Sequence, residues 1–291
     1  MITQSTRAGK FIKMIIGKNG MRLKSRTVRI ETGEGGIKGI VLSPRKHGKK
    51  LPGILWIHGG GYMSGMAAMV YVSEGKSLAK RFGAVVLSPE YRLARKSPYP
   101  AALDDCFAAL KYMYDNADEL GIDRSRIVIG GESAGGGLAA ALCMYARDKS
   151  DIKVCLQIPL YPMLDCVDTP SSSDNHGLFW DTRRNHWGWS HYLGPLYGTP
   201  DVPQYASPSR ETDYRGLPPA YTFITDGDAF YDETLTYIKN LNDAGIEAHV
   251  DVFHGNFHAF DFLFWTRNAK EARRKLLDNY ERMMASYETV D

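Results

Sequence analysis

Residues 131–135 read Gly-Glu-Ser-Ala-Gly, with Gly130, Gly136 and Gly137 around them. A serine between small residues at this spacing suits a nucleophile held on a sharp turn from strand to helix. Ile127, Val128 and Ile129 supply a strand pattern before it, and residues 138–147 an alanine-rich helical pattern after it. Such a turn would lift the Ser133 hydroxyl out of a sheet. It would also aim the amide of Ala134, and the positive end of the new helix, at an oxyanion forming on a carbonyl substrate. Any glycine-rich connection between strand and helix shares this pattern, so the chemistry depends on partners elsewhere in the chain.

Acyl transfer by serine needs a base, a carboxylate to orient that base, and donors for the oxyanion. His258 stands in a short loop after the β-patterned residues 247–253, and Asp228 follows another such run at 221–225. Asp226 and His254 compete with them, because each sits at the end of the same two runs. His58-Gly59-Gly60-Gly61-Tyr62 follows a buried-strand pattern at 53–57 and reads as a glycine loop at that strand's carboxyl end. Glu132, beside Ser133, is badly placed to reach His258 and is expected to bind local groups. His176, His186 and His191 lack the cysteine or carboxylate spacing of a metal site, so no metal or organic cofactor is expected.

Around these residues strand and helix patterns alternate. Residues 27–30 and 37–42 read as an antiparallel hairpin at a sheet edge. Residues 70–81 read as a helix, 84–87 as a strand, 100–120 as a helix ended by Gly121, and 153–158 as a strand. The pattern resumes with a strand at 221–225, a helix at 231–244, a strand at 247–253 and a last helix from 269 to about 286. Alternation of this kind implies a mostly parallel sheet with helices on both faces and functional groups at the carboxyl ends of strands. Between residues 165 and 217 the periodicity disappears, and three of the five tryptophans, Trp180, Trp187 and Trp189, gather with Tyr192 and Tyr197. An insertion that long in a compact domain reads first as a lid.

Composition sets the outer bounds. The 291 residues, 44% hydrophobic and 24% charged, suit one α/β domain with a full core. A net charge of +3, spread along the chain, gives no case for nucleic acid. No apolar run approaches the roughly 20 residues a bilayer requires, and the first 30 residues hold no signal-peptide core, so a cytoplasmic protein without stable membrane insertion is expected. Those residues carry eight basic and no acidic side chains, with Phe11, Ile12, Ile15 and Ile16 on one helical side. They are read as covering the site rather than as a membrane-surface helix. Cys106, Cys143, Cys155 and Cys166 lack metal spacing and read as free thiols.

Taken together, the motifs resemble the hormone-sensitive-lipase-like group of α/β-hydrolases, the fold-3 carboxylesterases. His58 to Tyr62 match its oxyanion motif, Tyr91-Arg92-Leu93-Ala94 with residues 99–105 its tyrosine-arginine-leucine-alanine segment, and residues 131–136 its elbow. Tyr161-Pro162, and Asp228 with Asp232-Glu233, extend the match from about residue 52 to 260. The resemblance implies an α/β-hydrolase fold with about eight strands and a helical cap built from residues 1–25 and 165–217. It implies Ser133 as nucleophile, His258 as base, Asp228 as its acid, and the amides of Gly60, Gly61 and Ala134 as oxyanion donors. His58 would be structural, and Tyr62, Trp187, Trp189 and Tyr192 would contact substrate. The expected activity is hydrolysis of short-chain acyl esters through an acyl-enzyme. An acetyl esterase acting on acetylated sugars or xylo-oligosaccharides, and a non-catalytic small-molecule receptor, are the alternatives; a homodimer is left open. The chain departs from the family at Ala259, at Ala229-Phe230, at Arg95-Lys96, and at Gly188, where a bulky aromatic is common and extra room is expected.

Overall fold

The computed structural model describes residues 23–45, 50–255 and 257–288. The basic segment with Phe11, Ile12, Ile15 and Ile16 lies outside the described residues. The described residues form eight strands: β1 (Leu23–Ile30), β2 (Ile37–Pro44), β3 (Leu51–Ile57), β4 (Val85–Pro89), β5 (Ile122–Glu132), β6 (Leu156–Leu160), β7 (Ala220–Thr225) and β8 (Ala248–Phe253). They form one sheet in the order β1-β2-β4-β3-β5-β6-β7-β8. The hairpin β1/β2 is antiparallel, with Ile30 opposite Ile37, and β2 runs antiparallel to β4. From β4 through β8 every pairing is parallel.

Burial follows from that topology. Ile54, Leu55, Trp56 and Ile57 on β3 and every residue of β4 are buried, because helices cover both faces of the parallel strands and no alternation survives. Edge strand β1 is mostly exposed. The helices are α1 (Glu74–Phe82), α2 (Ala101–Asp115), α3 (Ala117–Leu120), α4 (Ala134–Lys149), α5 (Pro170–Ser173), α6 (Thr182–Leu193), α7 (Tyr231–Asp243) and α8 (Arg267–Glu288). Two expected helices are broken. Residues 70–81 divide into a 3-10 turn at Ala67–Tyr71 and then α1, because Ser73 is extended and its hydroxyl donates back to the Val70 carbonyl. Residues 100–120 divide at Asn116, whose side-chain amide donates to the Tyr112 carbonyl at 2.9 Å and closes α2.

The insertion after β6 is less irregular than its sequence implies. Its main helix, α6, begins at Asp181, whose carboxylate accepts from the Arg184 amide. It buries Asn185, Gly188, Trp189, Tyr192 and Leu193, the i, i+3, i+4, i+7, i+8 face of an amphipathic helix. At its root the insertion is tied to α7. Glu233 accepts from the amides of Leu164 at 2.6 Å and Asp165 at 3.3 Å, and Asp232 accepts from the amide of Ser171 at 2.7 Å. Burial holds the Glu233 carboxyl well above the usual range.

Candidate active site

The elbow forms where β5 turns into α4. Ser133 adopts φ 58° and ψ −123°, a region an L-residue occupies only when its surroundings enforce it. Its amide donates to the Leu160 carbonyl, and its carbonyl accepts from the amides of Met163 and Gly137. The small neighbour Gly135 permits the turn, since a Cβ there would stand 2.2 Å from the Ile57 carbonyl oxygen. Ala134 is the first residue of α4, so its amide is one of the N–H groups that a helix start leaves unbonded.

Three side chains meet at this turn. His258 Nε2 lies 2.8 Å from Ser133 Oγ, and His258 Nδ1 lies 2.8 Å and 3.1 Å from the two oxygens of Asp228. Ser133, His258 and Asp228 are 7%, 5% and 1% exposed, so the chain of hydrogen bonds is shielded from bulk water. Asp228 is fixed in turn by the Phe230 amide, which donates to it at 3.0 Å. The imidazole is packed by the edges of Phe230 and Tyr161, with ring centroids at 5.0 Å and 5.1 Å. Ala259 takes the left-handed conformation, φ 59°, at the position where the resemblance calls for glycine.

The competing residues find each other. Asp226 bonds His254 and the Gly255 amide on the surface, away from Ser133. Glu132 accepts from Trp56 Nε1 at 3.2 Å and from the Glu74 amide at 3.3 Å, and burial pushes its carboxyl well above the usual range. Arg273 pairs with Glu74, while Asp261, buried near both acids, is pushed up to about 7 by burial and then by Glu74. His58 is buried, stacked on Tyr91 at 4.1 Å and bonded to the Gly59 carbonyl; burial lowers it to about 4, so it is a neutral prop of the glycine loop. Tyr91 donates to the His58 carbonyl, and Arg92 makes a forked bond to Asp105. His176 and His186 pair with Asp174 and Asp168 on the exposed surface. Among the described residues no group of His, Cys, Asp and Glu is arranged to hold a metal ion.

Above Ser133 opens a cavity of about 370 Å³, lined by Gly60, Gly61, Met63, Phe179, Trp180, Trp187, His258 and Phe262 among others. Trp187 therefore lies where the sequence reading expects a substrate contact. Tyr62, Trp189 and Tyr192 do not line the cavity: each is 1% exposed and they pack together, Tyr62 stacked on Tyr192 at 3.8 Å and Trp189 tilted against Tyr62 at 5.5 Å, as the aromatic core joining α6 to the glycine loop. The extra room expected at Gly188 is also filled, by the Trp180 ring and the Met163 methyl, which a Cβ there would meet at 3.2 Å. Trp180, Phe179 and Phe262 were not separable from the other rings of the chain by type or spacing.

The profile described as alpha/beta hydrolase fold matches residues 54–262. The chain belongs to the hormone-sensitive-lipase-like α/β-hydrolase family. It is 32% identical over 206 residues to Carboxylesterase NlhH of Mycobacterium tuberculosis, a match covering 69% of this chain and 63% of that protein. It is 30% identical over 216 residues to AB hydrolase superfamily protein C1039.03 of Schizosaccharomyces pombe, covering 71% and 62%. The chain thus spans less than two thirds of the length of these relatives. Among solved structures it resembles a bacterial heroin esterase, with TM-score 0.89, 33% identity and coverage of 95% and 89% of the two chains. An esterase of Pyrobaculum calidifontis aligns with TM-score 0.84 at 30% identity, covering 97% and 94%.

Proposed function

We propose that the chain is a serine carboxylesterase that hydrolyses short-chain acyl esters through an acyl-enzyme. The observation carrying this reading is the buried relay from Ser133 through His258 to Asp228, with both imidazole nitrogens within 2.8 Å of a partner. Ser133 Oγ attacks the ester carbonyl while His258 Nε2 takes its proton. Asp228 holds the imidazole with Nδ1 protonated and stabilises the imidazolium. The carbonyl oxygen, now negative, turns toward the amides of Gly60, Gly61 and Ala134. His258 returns the proton to the departing alkoxide, and a water, deprotonated by the same nitrogen, then releases the acid. The reading calls for no cofactor.

In this reading residues 165–217 serve as the cap of one α/β-hydrolase domain, and the esterase names of the relatives support ester cleavage as the reaction. The wall of rings and methionines, with Arg184 at its margin, suits an apolar group better than the polyhydroxylated alcohol of an acetylated sugar. Labelling tests the assignment. An activated phosphate triester should add one phosphoryl adduct to the Ser133 peptide and abolish turnover of nitrophenyl butyrate. Binding of esters without turnover would support a receptor instead.

A further inference from the structure

Trp180 touches the site where the ester would react. A Cβ on Gly61, which has φ 59°, would stand 2.2 Å from Trp180 Cη2 and 2.8 Å from Cζ3, so the benzo edge of the indole lies against the backbone of the glycine loop. On the other side the ring flanks His258, with centroids 6.2 Å apart, and Phe230, also at 6.2 Å. The indole is fixed in place. Its Nε1 donates to Asn185 at 3.4 Å, Asn185 is itself buried, and the ring fills the slot over Gly188.

These contacts constrain how an ester lies. Its carbonyl oxygen must face the Gly60, Gly61 and Ala134 amides, and its alcohol oxygen must reach His258 Nε2, which hands it the proton taken from Ser133 as the C–O bond breaks. Trp180 abuts the first position and flanks the second. The group carried by the alcohol oxygen therefore runs along the indole. We propose that Trp180 selects the alcohol half of the substrate, favouring flat aryl or enol esters over saturated branched ones. This rests on the serine esterase reading. A planar group stacks on a fixed indole at van der Waals distance, whereas a puckered or branched group must displace a ring wedged between Gly61 and Gly188.

The test compares acetates that differ only in alcohol: phenyl against cyclohexyl, and isopropenyl against isopropyl. Aryl and enol esters are intrinsically more reactive, so the readout is the change in each ratio of kcat/KM between wild type and variant, in which intrinsic reactivity cancels. Trp180→Leu, which keeps an apolar side chain but not the plane, should lower both ratios about 3- to 10-fold. Trp180→Phe should retain most of the preference, and neither variant should move the acyl-length optimum of phenyl esters. If Trp180→Leu is not recovered folded, Trp180→Phe and Trp180→His, both planar, must keep the ratios within about 3-fold of wild type. Unchanged ratios in folded, active Trp180→Leu, a shifted acyl optimum, or lost ratios in the planar variants would overturn the proposal while leaving the esterase reading intact. A wild-type protein inert toward every ester would remove both.

Discussion

His254 bonds Asp226 at the protein surface, one Asp–His pair beside another, while the pair Asp228 and His258 lies buried beneath it against Ser133. The two pairs use the same strand ends, β7 and β8, and differ in which way the loops turn. Only the inner pair reaches the hydroxyl. Asp228→Asn should therefore lower kcat by about 10⁴-fold, because an amide favours the wrong imidazole tautomer. Asp226→Asn should stay within a few-fold of wild type. Steady-state kinetics on nitrophenyl acetate decides the matter, and a reversed order would move the acid to Asp226.

Replacing either Ser133 or His258 should leave the fold standing. Ser133→Ala and His258→Ala are expected to lose about 10³-fold or more in kcat, with the residual rate supplied by the oxyanion donors and binding. Circular dichroism and thermal unfolding check the fold in parallel. Near-normal turnover by folded Ser133→Ala would end the serine mechanism.

Asp261 provides a pH signature of stability. Its carboxyl titrates near 3.9 in an unfolded chain but is pushed up to about 7 in the folded protein, mainly by burial. Between those values the folded state holds a proton that the unfolded state has lost, so this group's contribution falls as pH rises from about 4 to 7. Asp261→Asn cannot titrate. Relative to wild type the variant should therefore gain stability across that window, by on the order of a few kcal/mol. Urea unfolding at pH 5 and pH 8 measures the difference, and a gap that stays constant with pH would contradict it.

Acyl length should be limited by the part of the cavity that the alcohol group leaves free. At about 370 Å³ it lies toward the small end of the roughly 300–1,000 Å³ range of ligand sites, and each methylene buried adds at most about 0.8 kcal/mol until the space is full. The series of nitrophenyl esters should peak between about two and six acyl carbons, with weak activity on long-chain triglycerides. A maximum at ten carbons or beyond would require a longer pocket.

The sheet was legible because its strands are short apolar runs bounded by glycine and proline, and because the two alternating runs at the start could pair only as an edge hairpin. Ser133, Asp228 and His258 were legible for a related reason: each sits just past a strand, where a parallel sheet collects its polar groups. Side-chain competition concealed the rest. Ser73 and Asn116 end helices by capturing carbonyls, which hydrophobic periodicity does not register. The resemblance implied a helical cap, but periodicity could not place helix α6 because its buried face begins with Asn185 and Gly188, residues that read as loop. Which rings face substrate was also invisible: Trp189 and Tyr192 lie on the inner face of α6, while Trp180 reaches the cavity from the turn before it.

The anchoring of the insertion by Glu233 and Asp232 has a further consequence for how the molecule opens. The amides of Leu164 and Ser171 are held by carboxylates of α7, the helix that follows directly on Asp228. Deuterium can enter at Leu164 only when that carboxylate lets go. Opening the root of the insertion and loosening the segment that holds Asp228 then become one cooperative event, with slow exchange at the root and faster exchange at exposed turns such as residues 176–179.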